Sequence, residues 1–286
     1  MVYRKNLEME KVSALTNFEY GEGTEAFKSC SVQFQGQLFI FGGFYEKRQI
    51  SRIEPDCKMR RIGSLPFDFE GGTCNAFSTK LILCFPLERA SGKSCWISYN
   101  ANNFKRMKAT QYPHWYGEIG SYKENPVAIA GNTGLEVEMH SRASWRQMPS
   151  IPAQHKKLYS FSTTTVKNVL YIFGGDNGYG SITEGWAFNG AWSRLTPLFQ
   201  SRSGHRSIIM GEKLYHLGGV GHKRRDAFEE RHFEEWTKRP GEMRPYKQYD
   251  RRQIESTLNG CNYPETFIVD NRYCSLLGNT SLIWNY

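Results

Sequence analysis

Four histidines, His205, His216, His222 and His232, lie close enough in the chain to be considered as metal ligands. Zinc or copper would require their rings to converge on one point, helped by a cysteine or carboxylate. No Asp or Glu falls in step with them. His205 and His216 also sit where the pattern described below places two successive strands, so nothing in the spacing makes their side chains meet. Structural histidines are the expectation, and no metal site. The segment from Gly174 to Ser181 (Gly-Gly-Asp-Asn-Gly-Tyr-Gly-Ser) is the nearest approach to a phosphate cradle. Such a cradle requires a following helix whose amides face the anion, and in nucleotide hydrolases a lysine. Here a strand-like run follows and the lysine is missing, so the segment reads as a turn. No Gly-x-Ser-x-Gly elbow occurs, and no Ser or Cys is singled out with a His and a carboxylate. No catalytic residue can be named, and the expectation is a non-enzymatic protein without a cofactor.

The elements that would position any site follow from composition and repetition. The chain has 286 residues, with 37 Lys+Arg against 28 Asp+Glu and a net charge of +9. Aromatic residues make up 14%, which excludes a disordered chain and suits a large single core. The densest basic stretch, His222 to Arg252, carries ten Lys/Arg offset by seven Asp/Glu. It reads as a solvated mixed-charge surface, and no nucleic-acid-binding motif accompanies it, so nucleic acid is not the expected partner. The longest apolar runs, such as Val169 to Phe173, are strand-sized, so no membrane insertion is expected.

One apolar run recurs. Leu38-Phe39-Ile40-Phe41 ends in Gly42-Gly43, Leu170-Tyr171-Ile172-Phe173 in Gly174-Gly175, and Leu214-Tyr215-His216-Leu217 in Gly218-Gly219. Weaker copies are Leu81 to Pro86, Val127 to Asn132 and Thr266 to Asn271. Marking the first glycine position gives 42, 85, 131, 174, 218 and 270, with steps of 43, 46, 43, 44 and 52. An aromatic follows downstream: Trp145, Trp192 and Trp236, with Met59 and Phe104 in the two early copies. A short polar and proline-containing segment then follows at Leu65-Pro66, Met148-Pro149, Leu195-Thr196-Pro197 and Arg239-Pro240. Each unit reads as a first strand, a glycine-ended strand, a loop, a third strand, and a fourth strand carrying the aromatic. Four such strands cannot cover both their faces alone, so stacking of neighbours must stabilise them.

The glycine pair after Leu-Tyr-Ile-Phe, the downstream tryptophan and Arg202-Ser203-Gly204-His205 resemble kelch repeats. The stretch from Cys57 to Cys74 is similar to an invertebrate-type kelch variant with extra cysteines. The resemblance covers roughly residues 27 to 274 and implies an all-β, six-bladed kelch-like β-propeller with four antiparallel strands per blade. The expected architecture is a single domain over residues 1–286, with blades near 28–66, 72–110, 117–152, 159–198, 203–240 and 260–286. Only about 15 residues follow Asn271, too few for two further strands with ordinary turns, so a segment within 12–27 is expected to complete the last blade. Asp226 to Thr237 has helix-forming composition, but the repeat register places the third strand of the fifth unit there. The extra length of the last step falls between Pro240 and Cys261, where Tyr246 to Asn259 reads as a long loop or short helix. Kelch-fold enzymes exist, among them copper-radical oxidases and sialic-acid isomerising enzymes, but neither motif can be carried onto these residues.

The seven cysteines show no Cys-x-x-Cys spacing. In the repeat register Cys84 and Cys95 fall on adjacent antiparallel strands, where a disulfide is expected. Cys57 and Cys74, which bracket the first turn between units, are further candidates for a disulfide, and Cys274 is a candidate to tie the closing unit to Cys30 or Cys261. Buried free thiols are the alternative. Oxidised cysteines favour an extracellular location. The charged segment Met1 to Glu10, which has no apolar leader, points to the cytoplasm.

What remains is surface. In a propeller the loops after the glycine pairs and the turns between blades share one face. The candidates for partner binding there are Tyr45, Arg48, Trp115 and Tyr116; Asp176, Asn177 and Tyr179; and Arg202, Lys223, Arg224 and Arg225. These are residue types that dominate protein interfaces. A monomer that binds another protein through this face is the expectation. The alternative is a propeller enzyme or glycan-binding lectin with its site at the central channel.

Overall fold

The computed structural model describes residues 29–54, 59–87, 91–210, 213–217, 228–232, 247–249, 265–269, 272–277 and 280–285. Every described element is a β-strand, and the strands form antiparallel sheets. The first sheet is β1 (Cys30–Phe34), β2 (Gln37–Phe41), β3 (Gln49–Ile53) and β4 (Met59–Ser64). The second is β5 (Thr73–Phe77), β6 (Lys80–Cys84), β7 (Cys95–Ser98) and β8 (Lys105–Arg106). The third is β9 (Glu118–Tyr122), β10 (Asn125–Gly131), β11 (Gly134–Ser141) and β12 (Ser144–Met148). The fourth is β13 (Ser162–Val166), β14 (Val169–Phe173), β15 (Gly185–Phe188) and β16 (Trp192–Arg194). The fifth is β17 (Arg206–Met210), β18 (Lys213–Leu217), β19 (Phe228–His232) and β20 (Lys247–Tyr249). A three-stranded sheet follows: β21 (Glu265–Val269), β22 (Arg272–Leu277) and β23 (Thr280–Asn285). In each sheet the strands pair in chain order.

The first strand of each sheet lies beside the first strand of the next, and β21 lies beside both β17 and β1. Side chains alternate across a strand, so a sheet between two neighbours must be apolar on both faces. This is why the glycine-ended strands are continuous hydrophobic runs. Leu81 and Leu83 pack toward Phe39, Phe41 and Ile50 of the first sheet, whereas Ile82 and Cys84 pack toward Ile119 and Ala128 of the third. Leu170 and Ile172 likewise meet Val127 and Ile129, while Tyr171 and Phe173 join Leu214 of the fifth sheet. Each such side chain contributes about 1.5–3 kcal/mol through burial that only the neighbouring sheet supplies.

The tryptophans fasten the outer strands. Trp145 Nε1 donates to Lys108 O at 2.9 Å, and Trp192 Nε1 to Pro149 O at 2.7 Å. Each acceptor lies just beyond the last strand of the preceding sheet, so the indole ties one sheet to the one before it. Trp236, Gly218 and Gly219 lie outside the described residues.

Several expectations are corrected. Phe228–His232 is the third strand of its sheet, as the register required despite its composition, because pairing with β18 overrides local propensity. The fourth strand is Lys247–Tyr249, however, beyond both Trp236 and the expected boundary at 240 and inside the segment read as a loop or helix. Thr266 to Val269 belongs to a first strand, not a glycine-ended one: residues 270–271 link the hairpin in which Val269 faces Arg272. Two further strands therefore do fit after Asn271.

Cysteine pairing is partly as expected. Cys84 and Cys95 face each other across β6 and β7 and are paired, with Cα atoms 4.1 Å apart. Cys74 pairs with Cys30, Cα to Cα 5.9 Å, so its partner is not Cys57 and the partner of Cys30 is not Cys274. Cys57 and Cys261 lie outside the described residues. The Cys30–Cys74 bond joins the first strands of neighbouring sheets at a place where other sheet pairs use hydrogen bonds. There Thr73 Oγ1 accepts from Ile119 N, and Ser162 shares a short hydrogen bond with Ser207. Because the bond closes a 44-residue separation, Cys30→Ser is expected to lower stability by about 2–4 kcal/mol. Urea titration with and without reductant checks this: reductant should bring wild type down to or below the variant. Equal stability in all samples would show that the two sulfurs are not joined.

Candidate protein-interaction face

The second strands of the first four sheets end in the same bend. Gly42, Phe85, Ala130 and Gly174 adopt φ of 60°, 59°, 45° and 58°. The recurring left-handed residue is thus 130 in the third unit, one before the glycine read from sequence. The bend aims the next amide at the segment joining that sheet to its successor. Gly43 N donates to Phe69 O at 2.9 Å, Gly131 N to Leu158 O at 2.8 Å and Gly175 N to Arg202 O at 2.7 Å. Pro86 has no N–H to make this bond. In its place the Phe85 ring packs on His114, centroids 5.0 Å apart. These bonds hold the loops after the second strands against the connections between sheets, so both sets of loops share one end of the molecule.

His114 belongs to a buried strut that the sequence did not single out. Glu138, in β11, accepts from Gln111 N at 2.8 Å, Tyr112 N at 3.0 Å and His114 Nε2 at 3.1 Å. His114 Nδ1 lies 2.6 Å from Ala130 O, a group that can only accept. Both side chains are fully buried. Burial alone would push the Glu138 carboxyl up, but the hydrogen bonds from His114, Tyr112 and Gln111 and the nearby imidazole outweigh it and hold it below its ordinary value. The strut fixes the connection carrying Trp115 and Tyr116.

On this face Tyr45 is 56% exposed, with Phe44 edge-on against it at 5.0 Å. Arg48 is exposed but paired with Asp68 at 2.6 Å, and Lys47 with Glu70 at 3.0 Å. Tyr116 is exposed and lies 6.3 Å from the Tyr159 ring, over which Lys157 Nζ sits at 5.7 Å. Trp115 is half-buried and covers Gly92, where a Cβ would lie 2.8 Å from the indole. Asp176 Oδ1 accepts from Gly178 N at 2.6 Å and Asn177 Oδ1 from Tyr179 N at 2.9 Å. Those two turns, flanked by Gly178 and Gly180, hold Tyr179 out at 97% exposure. Asp176 and Asn177 are therefore the supports and Tyr179 the presented group. Arg202 is only 3% exposed, and its carbonyl anchors Gly175, so it is interior to the loop and not on its surface. Lys223, Arg224 and Arg225 lie outside the described residues. Sequence reasoning left out Phe199, exposed on the connection after the fourth sheet; the proline segment preceding it was the available signal.

His205 and His216 come together, although their spacing in the chain does not require it. Their rings are 5.7 Å apart, and a buried chain runs from His205 Nε2 to Ser162 Oγ (2.9 Å), Ser207 Oγ and His216 Nδ1 (2.8 Å from Ser207). Residues from β13, β17 and β18 meet because neighbouring sheets pack face to face. Among the described residues no group of three His, Cys, Asp or Glu could hold a metal ion. Among them, too, no helix is long and apolar enough to cross a membrane.

Four-stranded antiparallel sheets packed face to face, with loops gathered at one end, fit a β-propeller. Residues 157–198, which span the fourth sheet, match the family model described as Kelch motif. The chain is also similar to Kelch-like protein 6 of Homo sapiens, 27% identical over 108 residues. That match covers 35% of this chain and spans 17% of the relative's length. Over residues 157–198 the chain carries a kelch motif.

Proposed function

We propose that this chain is a single six-bladed kelch-like propeller that binds another protein through its loop face and performs no chemistry of its own. The proximity of β21 to both β17 and β1 supports a ring of six units; residues 12–27, expected from the sequence to complete the last one, lie outside the described residues. The observation that carries the binding role is the placement of exposed hydrophobics. Among the described residues seven large ones are exposed, and five of them, Phe44, Tyr45, Tyr116, Tyr179 and Phe199, stand on the loop face. Aromatics held out on rigid turns make large contacts at little entropic cost, which is the character of interface anchors.

Tyr45→Ala combined with Tyr179→Ala is expected to leave the melting temperature within about 2 °C of wild type. The same pair should weaken partner capture about tenfold or more. Tyr99→Ala, at an exposed residue on the opposite face, serves as control. In quantitative affinity capture from native extract, proteins retained by wild type and Tyr99→Ala should be lost from the double variant. If the double variant retains the same proteins in the same amounts, the loop face is not the binding surface.

A further inference from the structure

On the side away from these loops, β5, β9 and β13 border a cleft of about 520 Å3. Ser78, in the β5–β6 turn, and Glu124, in the β9–β10 turn, stand at its mouth, and Asn75, Ser121, Thr163 and Thr164 line it. Among the described residues the hydroxyls of Ser78, Ser121, Thr163 and Thr164 have no hydrogen-bond partner, and the Glu124 carboxylate has no ion pair. The walls themselves are fixed. Asn75 Nδ2 donates to Ile119 O at 2.9 Å and Thr165 Oγ1 to Ser121 O at 2.7 Å, locking the three strands in register.

Ser78, Ser121, Thr163 and Thr164 bring to this lining hydroxyls that can each donate and accept, beside Asn75 and the Glu124 carboxylate. Among the described residues no Lys, Arg or His lines the cleft, so an anion there would meet the Glu124 carboxylate with no described cation to balance it. Ala76, Phe77 and the side-chain-free Gly120 give the cleft a small apolar wall. Its size falls within the range of small-ligand sites. A matching ligand carries many hydroxyls, no negative charge and a face of C–H groups. We propose that this cleft binds a neutral polyhydroxylated ligand of mono- or disaccharide size. The site is separate from the loop face and stands or falls independently of it.

The test is titration of the full chain with glucose, galactose, mannose and N-acetylglucosamine, followed by saturation-transfer NMR and calorimetry, with glucuronate and galacturonate as anionic counterparts. At least one neutral sugar should bind with a Kd near about 1 mM, as befits a half-exposed polar site. Thr164→Val, which keeps the shape and removes the hydroxyl, should weaken it about fivefold, and Ser121→Ala should do the same. Ser78→Ala, at an exposed turn, serves in place of either if melting shows that a strand substitution impairs folding. The uronate should bind about tenfold more weakly than its neutral parent. Tyr179→Ala should change nothing, which separates this site from the loop face. No saturable binding of any neutral sugar up to about 50 mM would overturn the proposal. So would affinity unchanged in every hydroxyl variant, or a uronate that binds as well as its parent.

Discussion

Gly42→Val is expected to destabilise the protein by about 4 kcal/mol or more. A Cβ at Gly42 would lie 1.8 Å from Phe69 O, the carbonyl that accepts from Gly43 N. The residue also has a φ of +60°, which β-branched side chains do not tolerate. Relief by moving the loop would break the Gly43 bond and displace Phe69, which is fully buried in the core between the first two sheets. Phe85 and Ala130 show that the conformation alone does not demand glycine, since both occupy the same bend. At Phe85 the side chain itself packs beside His114. Gly174→Val should act like Gly42→Val, because its Cβ would lie 2.5 Å from Arg202 O. Urea unfolding measures both, and a wild-type midpoint for either would remove the close approach as the reason for the glycine.

Glu138→Ala should cost about 3–5 kcal/mol, because it leaves His114 and two amides buried without their acceptor. Glu138→Gln should cost less, since one amide oxygen can still accept. The pH dependence has a definite sign. A carboxyl held below its ordinary value of 4.5 contributes its full stabilisation above that pH. The contribution is lost as pH falls through the lower, folded-state value. Wild type should therefore lose stability on acidification faster than Glu138→Gln, and the two curves should approach one another at low pH. Parallel curves from pH 7 to about pH 3 would mean that Glu138 is not ionised in the folded protein. Since the strut anchors the connection bearing Trp115 and Tyr116, partner binding should weaken in the same variants.

Much of the architecture was legible as periodicity. Continuous apolar runs ending in glycine mark strands buried on both faces, and the tryptophan marks the outer strand, because each role admits few residue types. Legibility failed where two structures want the same residues. Asp270-Asn271 suits a hairpin turn as well as a strand-ending bend, and Ala130 occupies a left-handed position that reads as ordinary strand. It failed again where insertion length moved a strand, as with Lys247–Tyr249. The loop residues were named as a class, yet only packing separated the presented Tyr179 from its supports Asp176 and Asn177, and both from the interior Arg202.

By itself, then, the amino-acid sequence determined the strand-rich repeat and its period of about 44 residues, the glycine and tryptophan positions that serve it, and the cross-strand pair Cys84–Cys95. All of these depend on neighbours close in the chain or one repeat away. Tertiary structure alone decided that Cys30 meets Cys74, that Glu138 reaches His114, that His205 and His216 converge, and that hydroxyls from three sheets line one cleft. Those contacts depend on how one sheet is turned against the next, an angle set by the summed packing of both faces and written in no single residue.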